Sequence, residues 1–320
     1  MSTRRPSFPP VLALGFAILA VSTASIFIRF AQEYAPSLVI AAARLAIATA
    51  VLAPIALTRH RAELAKLSRG DLGLALLSGL FLALHFASWI SSLEYTTVAS
   101  SVVLVSTVPL WVALLAPLTI KEPVTRSVLT GMVLALVGGV IVGVSDSCGT
   151  DGALLACPGL GELLRGQAFL GNALALIGAI TAAGYLLIGR SLRARVSLIA
   201  YIFLVYGMAA LVLLVIVFAL GQSLVGYPPV TYLWMLLLAL VPQLIGHSTY
   251  NWALEYLSAA YVSIALLGEP IGSTILAYFL LGEMPTATKI FGAILILIGI
   301  YVASRSETQK HGAGDHGAKS

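Results

Sequence analysis

SAAYVSIALLGEPIGSTILAYFLLG, residues 258–282, decides how the rest of the chain is read. It is long enough to cross a bilayer, since about 20 apolar residues rising roughly 1.5 Å each cover the hydrocarbon core. Glu269 and Pro270 stand near its centre. Insertion scales put a charged residue at a helix centre at about +2.5 to +3.5 kcal/mol, because lipid offers neither water nor a counter-ion. Pro270 removes a backbone donor and is expected to leave the Leu266 carbonyl without its intrahelical partner. The pair makes sense where this face looks into protein or a watered cavity. The remaining chain is then the wall of that cavity.

Composition agrees. Of 320 residues, 59% are hydrophobic and 10% charged, against about 25% charged in ordinary soluble domains. Mean hydropathy is +1.00. A water-soluble core cannot hide that much apolar surface, so the lipid bilayer is the expected solvent. The net charge of +5 does not imply a nucleic-acid partner, because the basic residues lie in short loops between apolar runs and act as topology determinants. Arg4 and Arg5 before the apolar run from Val11 resemble a signal peptide. That run extends to Phe30, long for such a segment.

Ten apolar spans follow, roughly 10–30, 37–57, 72–92, 96–119, 125–145, 168–189, 198–221, 230–252, 258–281 and 287–304. The halves on either side of the connection 146–167 repeat. Glu94-Tyr95 matches Glu255-Tyr256, Pro109 matches Pro270, Glu122 matches Glu283, Gly131 matches Gly292, Gly138 matches Gly299 and Arg29 matches Arg190, all offset by 161 positions. The expectation is an all-α membrane protein of ten transmembrane helices in two inverted five-helix repeats. Repeat one is 10–145 after a cytoplasmic N-terminus of 1–9, and 146–167 is an external linker. Repeat two is 168–304, followed by a disordered cytoplasmic tail of 305–320, whose His311 and His316 read as solvated residues. Fourteen of the eighteen Lys and Arg fall on the side of the termini, which places both termini in the cytoplasm of a plasma-membrane protein. Five helices per half is an odd number, so the halves insert with opposite orientation. Secondary transporters share that arrangement, with the substrate site near the midplane.

Several residues are candidates for chemistry. Glu269 has Val108 as its repeat partner, and a charge that breaks a repeat is better explained by a task than by scaffold. It is read as a substrate- or proton-binding carboxylate, against a structural carboxylate with a fixed partner. Arg44, whose repeat partner is Val205, either snorkels to the interface or lines the cavity and holds a carboxylate, from Glu269 or from a substrate. His85 and Trp89 share a face of span three. Gln243, His247, Tyr250 and Asn251 largely share a face of span eight. These suit an organic solute with polar and apolar parts, against an interfacial aromatic belt. Pro109 and Pro270 kink spans four and nine and act as hinges or as static packing. The small-residue stripe of span five, and Gly292 and Gly299 of span ten, read as close helix packing. Glu122 and Glu283 favour the following helix dipole and carry no transport role. Cys148 and Cys157 share the external loop, where an intraloop disulfide is open, since sequence supplies no geometry.

The pieces PLWVALLAPLTIKEPV…G at 109–131 and EPIGSTILAYFLLGEMPT…G at 269–292 resemble the paired signatures of EamA-type members of the drug/metabolite transporter superfamily. The shared pattern is a mid-helix Pro, a Glu just beyond that helix, then a Gly-containing helix. Arg44 in AAARLAIA is similar to an Arg of the family's second helix. The resemblance covers about 10–304. It implies ten helices, a central cavity lined by helices one to four and six to nine, and alternating access, usually exporting or exchanging amino acids and other metabolites. Lys121 stands where the family often has Gly. The expected function is secondary transport of small organic metabolites, most simply export of amino acids or related compounds. The proton is a candidate coupling ion, a second copy of the chain a candidate partner, and no cofactor is expected. The competing classes are a membrane-embedded enzyme and a sensory or structural membrane protein. No H-E-x-x-H, Gly-rich phosphate loop or G-x-S-x-G supports an enzyme.

Overall fold

The structure, a computed structural model, describes residues 8–120, 126–145, 149–151, 154–156, 166–257 and 259–316. Cys148, Cys157, Lys121 and Glu122 lie outside them. Apart from one hairpin of two three-residue strands, β1 (Gly149–Asp151) and β2 (Leu154–Ala156), the described residues form helices and their connecting turns. In order these are α1 (Pro10–Ser22), α2 (Ala24–Gln32), α3 (Ser37–Arg59), α4 (Arg61–Lys66), α5 (Arg69–Tyr95), α6 (Val98–Val105), α7 (Val108–Ile120) and α8 (Arg126–Ser145). After the hairpin come α9 (Gln167–Arg193), α10 (Leu198–Ala219), α11 (Pro229–Leu238), a π-helical segment (Ala239–His247), α12 (Ser248–Ala253), α13 (Ala259–Ala265), α14 (Gly268–Leu281) and α15 (Ala287–His316).

Sequence chemistry sets these boundaries. Ser68 caps α5 by accepting from Asp71 N at 3.0 Å, Thr97 caps α6 through Ser100 N, and Ser197 caps α10 through Ala200 N. Gly282 ends α14 at φ 68°, the left-handed conformation that closes helices cheaply only in glycine.

Among the described residues, seven stretches are long and apolar enough to cross a membrane: Leu12–Gln32, Ser37–Arg59, Arg69–Tyr95, Val98–Leu115, Gln167–Arg193, Leu198–Ala219 and Pro229–Ala253. Their outward faces stay apolar, as Leu211, Val215 and Phe218 on α10 show. In water such a surface would drive aggregation; in lipid it is at home. Seven is fewer than the ten expected. Span nine is split into α13 and α14, and the apolar parts of α8 and α15 are shorter.

Packing follows the 161-residue offset. α5 lies on α9, and the equivalent segments, α1 with the π-helical segment and α12, also pack together; α3 lies on α10, and α8 on α15. The α8–α15 seam is self-complementary. A Cβ on Gly138 would sit 2.6 Å from the Gly292 carbonyl oxygen, and one on Gly299 would sit 2.5 Å from the Gly131 carbonyl oxygen. Only glycine at these two positions lets the backbones approach so closely.

Spans four and nine are broken rather than kinked. The chain turns at 106–107 between α6 and α7 and at 266–267 between α13 and α14, and Pro109 and Pro270 fall in the first turn of the helix after each break. A proline's missing donor is harmless there. The Leu266 carbonyl, expected to be orphaned, accepts from Glu269 N at 3.0 Å. Residues 305–316 continue α15; once a helix is nucleated by a docked segment, each added residue gains a hydrogen bond at little entropic cost.

Candidate functional site

Both breaks open on one cavity. Val105, Ser106 and Val108 line it from the first break, and Leu266 and Glu269 from the second. His85 and Trp89 reach it from α5, Ala182, Tyr185 and Leu186 from α9, and His247 and Tyr250 from span eight. The cavity volume is about 40 Å³, room for a few waters rather than an organic solute. The lining also keeps the offset: Trp89 with Tyr250, Val105 with Leu266 and Val108 with Glu269 are equivalents. So are Phe86 and His247, which meet edge to face with ring centroids 5.3 Å apart.

Glu269 lies in the first turn of α14, where a helix N-terminus favours negative charge. Among the described residues its carboxylate has neither an ion-pair nor a hydrogen-bond partner. The nearest fixed charge is the buried Arg44 guanidinium, which acts on Glu269 through its field rather than through a direct ion pair.

Arg44 sits in the middle of α3 with no exposed surface, so it does not snorkel to an interface. Nε donates to Gln243 Oε1 at 2.8 Å. Its guanidinium carbon lies 4.1 Å from the centroid of the Phe86 ring, a cation–π contact. Nη1 and Nη2 have no hydrogen-bond partner among the described residues, and neither do Trp89 Nε1 and the Tyr250 hydroxyl; the Gln243 side chain neighbours the Tyr206 hydroxyl.

The sequence places Gln243, His247, Tyr250 and Asn251 on one face of a regular helix; the structure divides them. His247 and Tyr250 line the cavity, while Gln243 and Asn251 are fully buried behind it. Tyr250 and Asn251 are consecutive in α12 and so point about 100° apart, while Gln243 and His247 lie in the wide π turn around Pro242, whose missing N–H and ring bulk disturb the regular ladder. Asn251 Nδ2 donates to the Tyr185 hydroxyl and, at 2.8 Å, to the His247 carbonyl. The Ser248 hydroxyl bonds the Tyr206 hydroxyl at 3.2 Å and the Gln243 carbonyl at 3.3 Å. His85 Nδ1 lies 2.9 Å from the Gly178 carbonyl. A carbonyl only accepts, so Nδ1 carries the proton and Nε2 is the nitrogen free to accept when the imidazole is neutral.

Sequence reasoning missed Ser106, Tyr185 and Phe86. Tyr185 carries the same mid-span hydroxyl that singled out Tyr250. Phe86 has no polar signal, and only its 161-residue relation to His247 points to it.

Two polar clusters lie at the ends of the spans. At one end Arg29 donates to the Leu93 carbonyl at 2.6 Å and pairs with Glu283 at 3.1 Å. Glu283 also accepts from Val98 N at 2.8 Å, so it ties the two halves and is more than a dipole partner. At the other end Arg190 donates to the Leu254 carbonyl at 2.5 Å, the offset equivalent of the Arg29–Leu93 bond. There Arg193 pairs with Glu255 at 2.5 Å and Arg195 with Asp71 at 2.6 Å.

Comparison with known proteins gives the class. The model of the EamA-like transporter family matches twice, at residues 9–144 and 169–305. The chain belongs to that family, and the double match is the repeat seen in the helix breaks and the glycine seam. Two relatives named "Uncharacterized transporter" are similar. One, from Clostridium kluyveri, is 24% identical over 78% of this chain and 77% of its own. The other, from Archaeoglobus fulgidus, is 29% identical over 23% of this chain, and the match spans only 28% of that relative's length. A crystal structure of another protein shares the fold, with TM-score 0.64 and 18% identity over 92% of this chain and 96% of that one. The protein is thus a multi-pass membrane protein of a transporter family.

Proposed function

We propose that the protein is a secondary transporter moving small organic metabolites, amino acids or related compounds, out of the cell by alternating access. The observation that carries this reading is the pair of helix breaks at equivalent positions, opening on one buried cavity that holds the unpaired Glu269. Broken helices around a central site are a recurring device of secondary transporters. In the proposed topology α8, the split α13–α14 and α15 complete ten spans in two inverted repeats, in the plasma membrane with both termini cytoplasmic. The narrow cavity and the tied ends correspond to a closed state, and rocking of the halves exposes the cavity to each side in turn. Glu269 exchanges a proton as the solute binds. A homodimer is compatible with this arrangement.

The test is solute flux in proteoliposomes with an imposed pH gradient, comparing wild type with Glu269→Gln. The variant should lose its response to the gradient. Flux that keeps the same proton dependence sinks the role given to Glu269. Purified protein that turns over a solute in detergent, with no second compartment, would replace transport by catalysis.

A further inference from the structure

Two buried nitrogen atoms at one place, Arg44 Nη1 and Nη2, are left without acceptors among the described residues, and Gln243 beside them has the Tyr206 hydroxyl as its side-chain neighbour. The Arg44 and Gln243 side chains are clamped together by the 2.8 Å bond from Arg44 Nε to Gln243 Oε1, and both residues are fully buried. A desolvated guanidinium with unused N–H groups is unfavourable until something restores its hydrogen bonds. Phe86 offers it only a ring face. On the nearby wall, Trp89 Nε1 and the Tyr250 hydroxyl are unpartnered too, and both can donate. A set this rich in donors is matched by a ligand that brings acceptors, and the planar fork of a guanidinium matches two coplanar oxygens.

We propose that Arg44 and Gln243 form an oxyanion subsite of the transport cavity that takes the carboxylate of the solute. Gln243 is the positioning residue: by occupying Nε it fixes the guanidinium plane and leaves Nη1 and Nη2 for the ligand. The wide turn at Ala239–His247 contains Gln243, and wide turns of this kind recur at functional sites. Arg44 lies behind the lining, next to Phe86, which in turn packs on His247. The subsite is therefore exposed as the cavity widens, and the apolar part of the solute lies against the aromatic wall. Lysine would not substitute, because it keeps the charge but has neither an Nε–H for Gln243 to hold nor a fork. The identity of the occupant rests on the transporter reading; the acceptor requirement does not.

The experiment is thermal unfolding of the detergent-purified full chain with matched probes, hydrocinnamate against its amide and valerate against its amide. The expected result is stabilisation of wild type by the carboxylates and much less by the amides. Gln243→Leu and Arg44→Lys should each lower carboxylate affinity about tenfold while leaving the weak amide response unchanged, which a merely structural role would not produce. The proposal is overturned by amides that match the carboxylates, or by a wild type that no carboxylate stabilises. It is also overturned if Glu269→Gln restores, without any probe, the stability lost in Arg44→Met, because Glu269 would then be the occupant. Hydrocinnamate counterflow in vesicles separates the two readings: a protein that binds carboxylates but moves none keeps the subsite and loses the transport function.

Discussion

Span four breaks at Ser106–Thr107 and span nine at Leu266–Leu267, and each break is followed by a proline, Pro109 in one half and Pro270 in the other. Between break and proline one half carries Val108 and the other Glu269. The same contrast recurs around the cavity: Phe86 stands opposite its equivalent His247, and Arg44 corresponds to Val205. What repeats is backbone geometry, namely breaks, the close-packed glycine seam and the arginine ties to the Leu93 and Leu254 carbonyls. What does not repeat is the charge at and behind the cavity, Glu269 against Val108 and Arg44 against Val205. In the proposed transport cycle a repeated scaffold would let each half adopt the other's conformation at similar energy, while an unrepeated charge would give the solute something to recognise.

The seam is where this comparison is most easily broken. Gly138→Ala and Gly299→Ala each push a Cβ into a backbone carbonyl oxygen. Each should destabilise by about 3 kcal/mol or more, read as a lower unfolding midpoint in detergent. Nearly equal losses sharpen the two-fold relation; strongly unequal ones break it.

Charge at the equivalent cavity positions should behave in the opposite way. Glu269→Ala is expected to reduce flux at least tenfold, about 1.4 kcal/mol in the barrier, whereas Val108→Ala should keep flux close to wild type. Equal losses would mean that both positions act only through packing.

The arginine ties give a smaller, graded contrast. Arg29→Ala leaves the partly buried Glu283 without its cation and should cost about 2 kcal/mol, between the values for exposed and buried pairs. Arg190→Ala removes a bond to a neutral carbonyl and should cost about 1 kcal/mol. The difference is read from unfolding midpoints, and a larger loss at Arg190 would contradict it.

The smallest effect lies outside the spans. Partial burial works against ionisation of Glu63, but hydrogen bonds from the Ser197 hydroxyl and backbone N–H, and from His60, hold it below the usual carboxylate range. A depressed folded-state value stabilises above the ordinary value of about 4.3 and fades as pH falls through the lower one. Ser197→Ala should therefore cost about 1 kcal/mol at neutral pH, from the cap and the Glu63 bond together. That difference should shrink on acidification below about pH 4.

Much of this organisation is legible in the sequence because a fixed offset is a long-range signal. Pro109 with Pro270, and Gly138 with Gly299, announce paired irregularities and close packing before any coordinates; that the irregularities are breaks rather than kinks, and that the glycines of spans five and ten meet each other, comes from the structure. Arg44 is different: its position admits snorkelling or burial, and only packing against Phe86 and Gln243 decides. The wide turn at Pro242 has no distinct signature, since a proline in an apolar run reads equally as a kink. That single ambiguity moved Gln243 off the cavity wall.

The π-helical turn has one more consequence. An extra residue held in a single turn is slack in the winding of span eight. If that slack is taken up, everything beyond it rotates by roughly 100° about the helix axis while the overall length barely changes. Tyr250 would swing away from the cavity and Asn251 away from Tyr185, with Trp234 left in place against Phe27. Such a rewinding would change the side chains span eight shows to its neighbours without either of its ends travelling through the membrane.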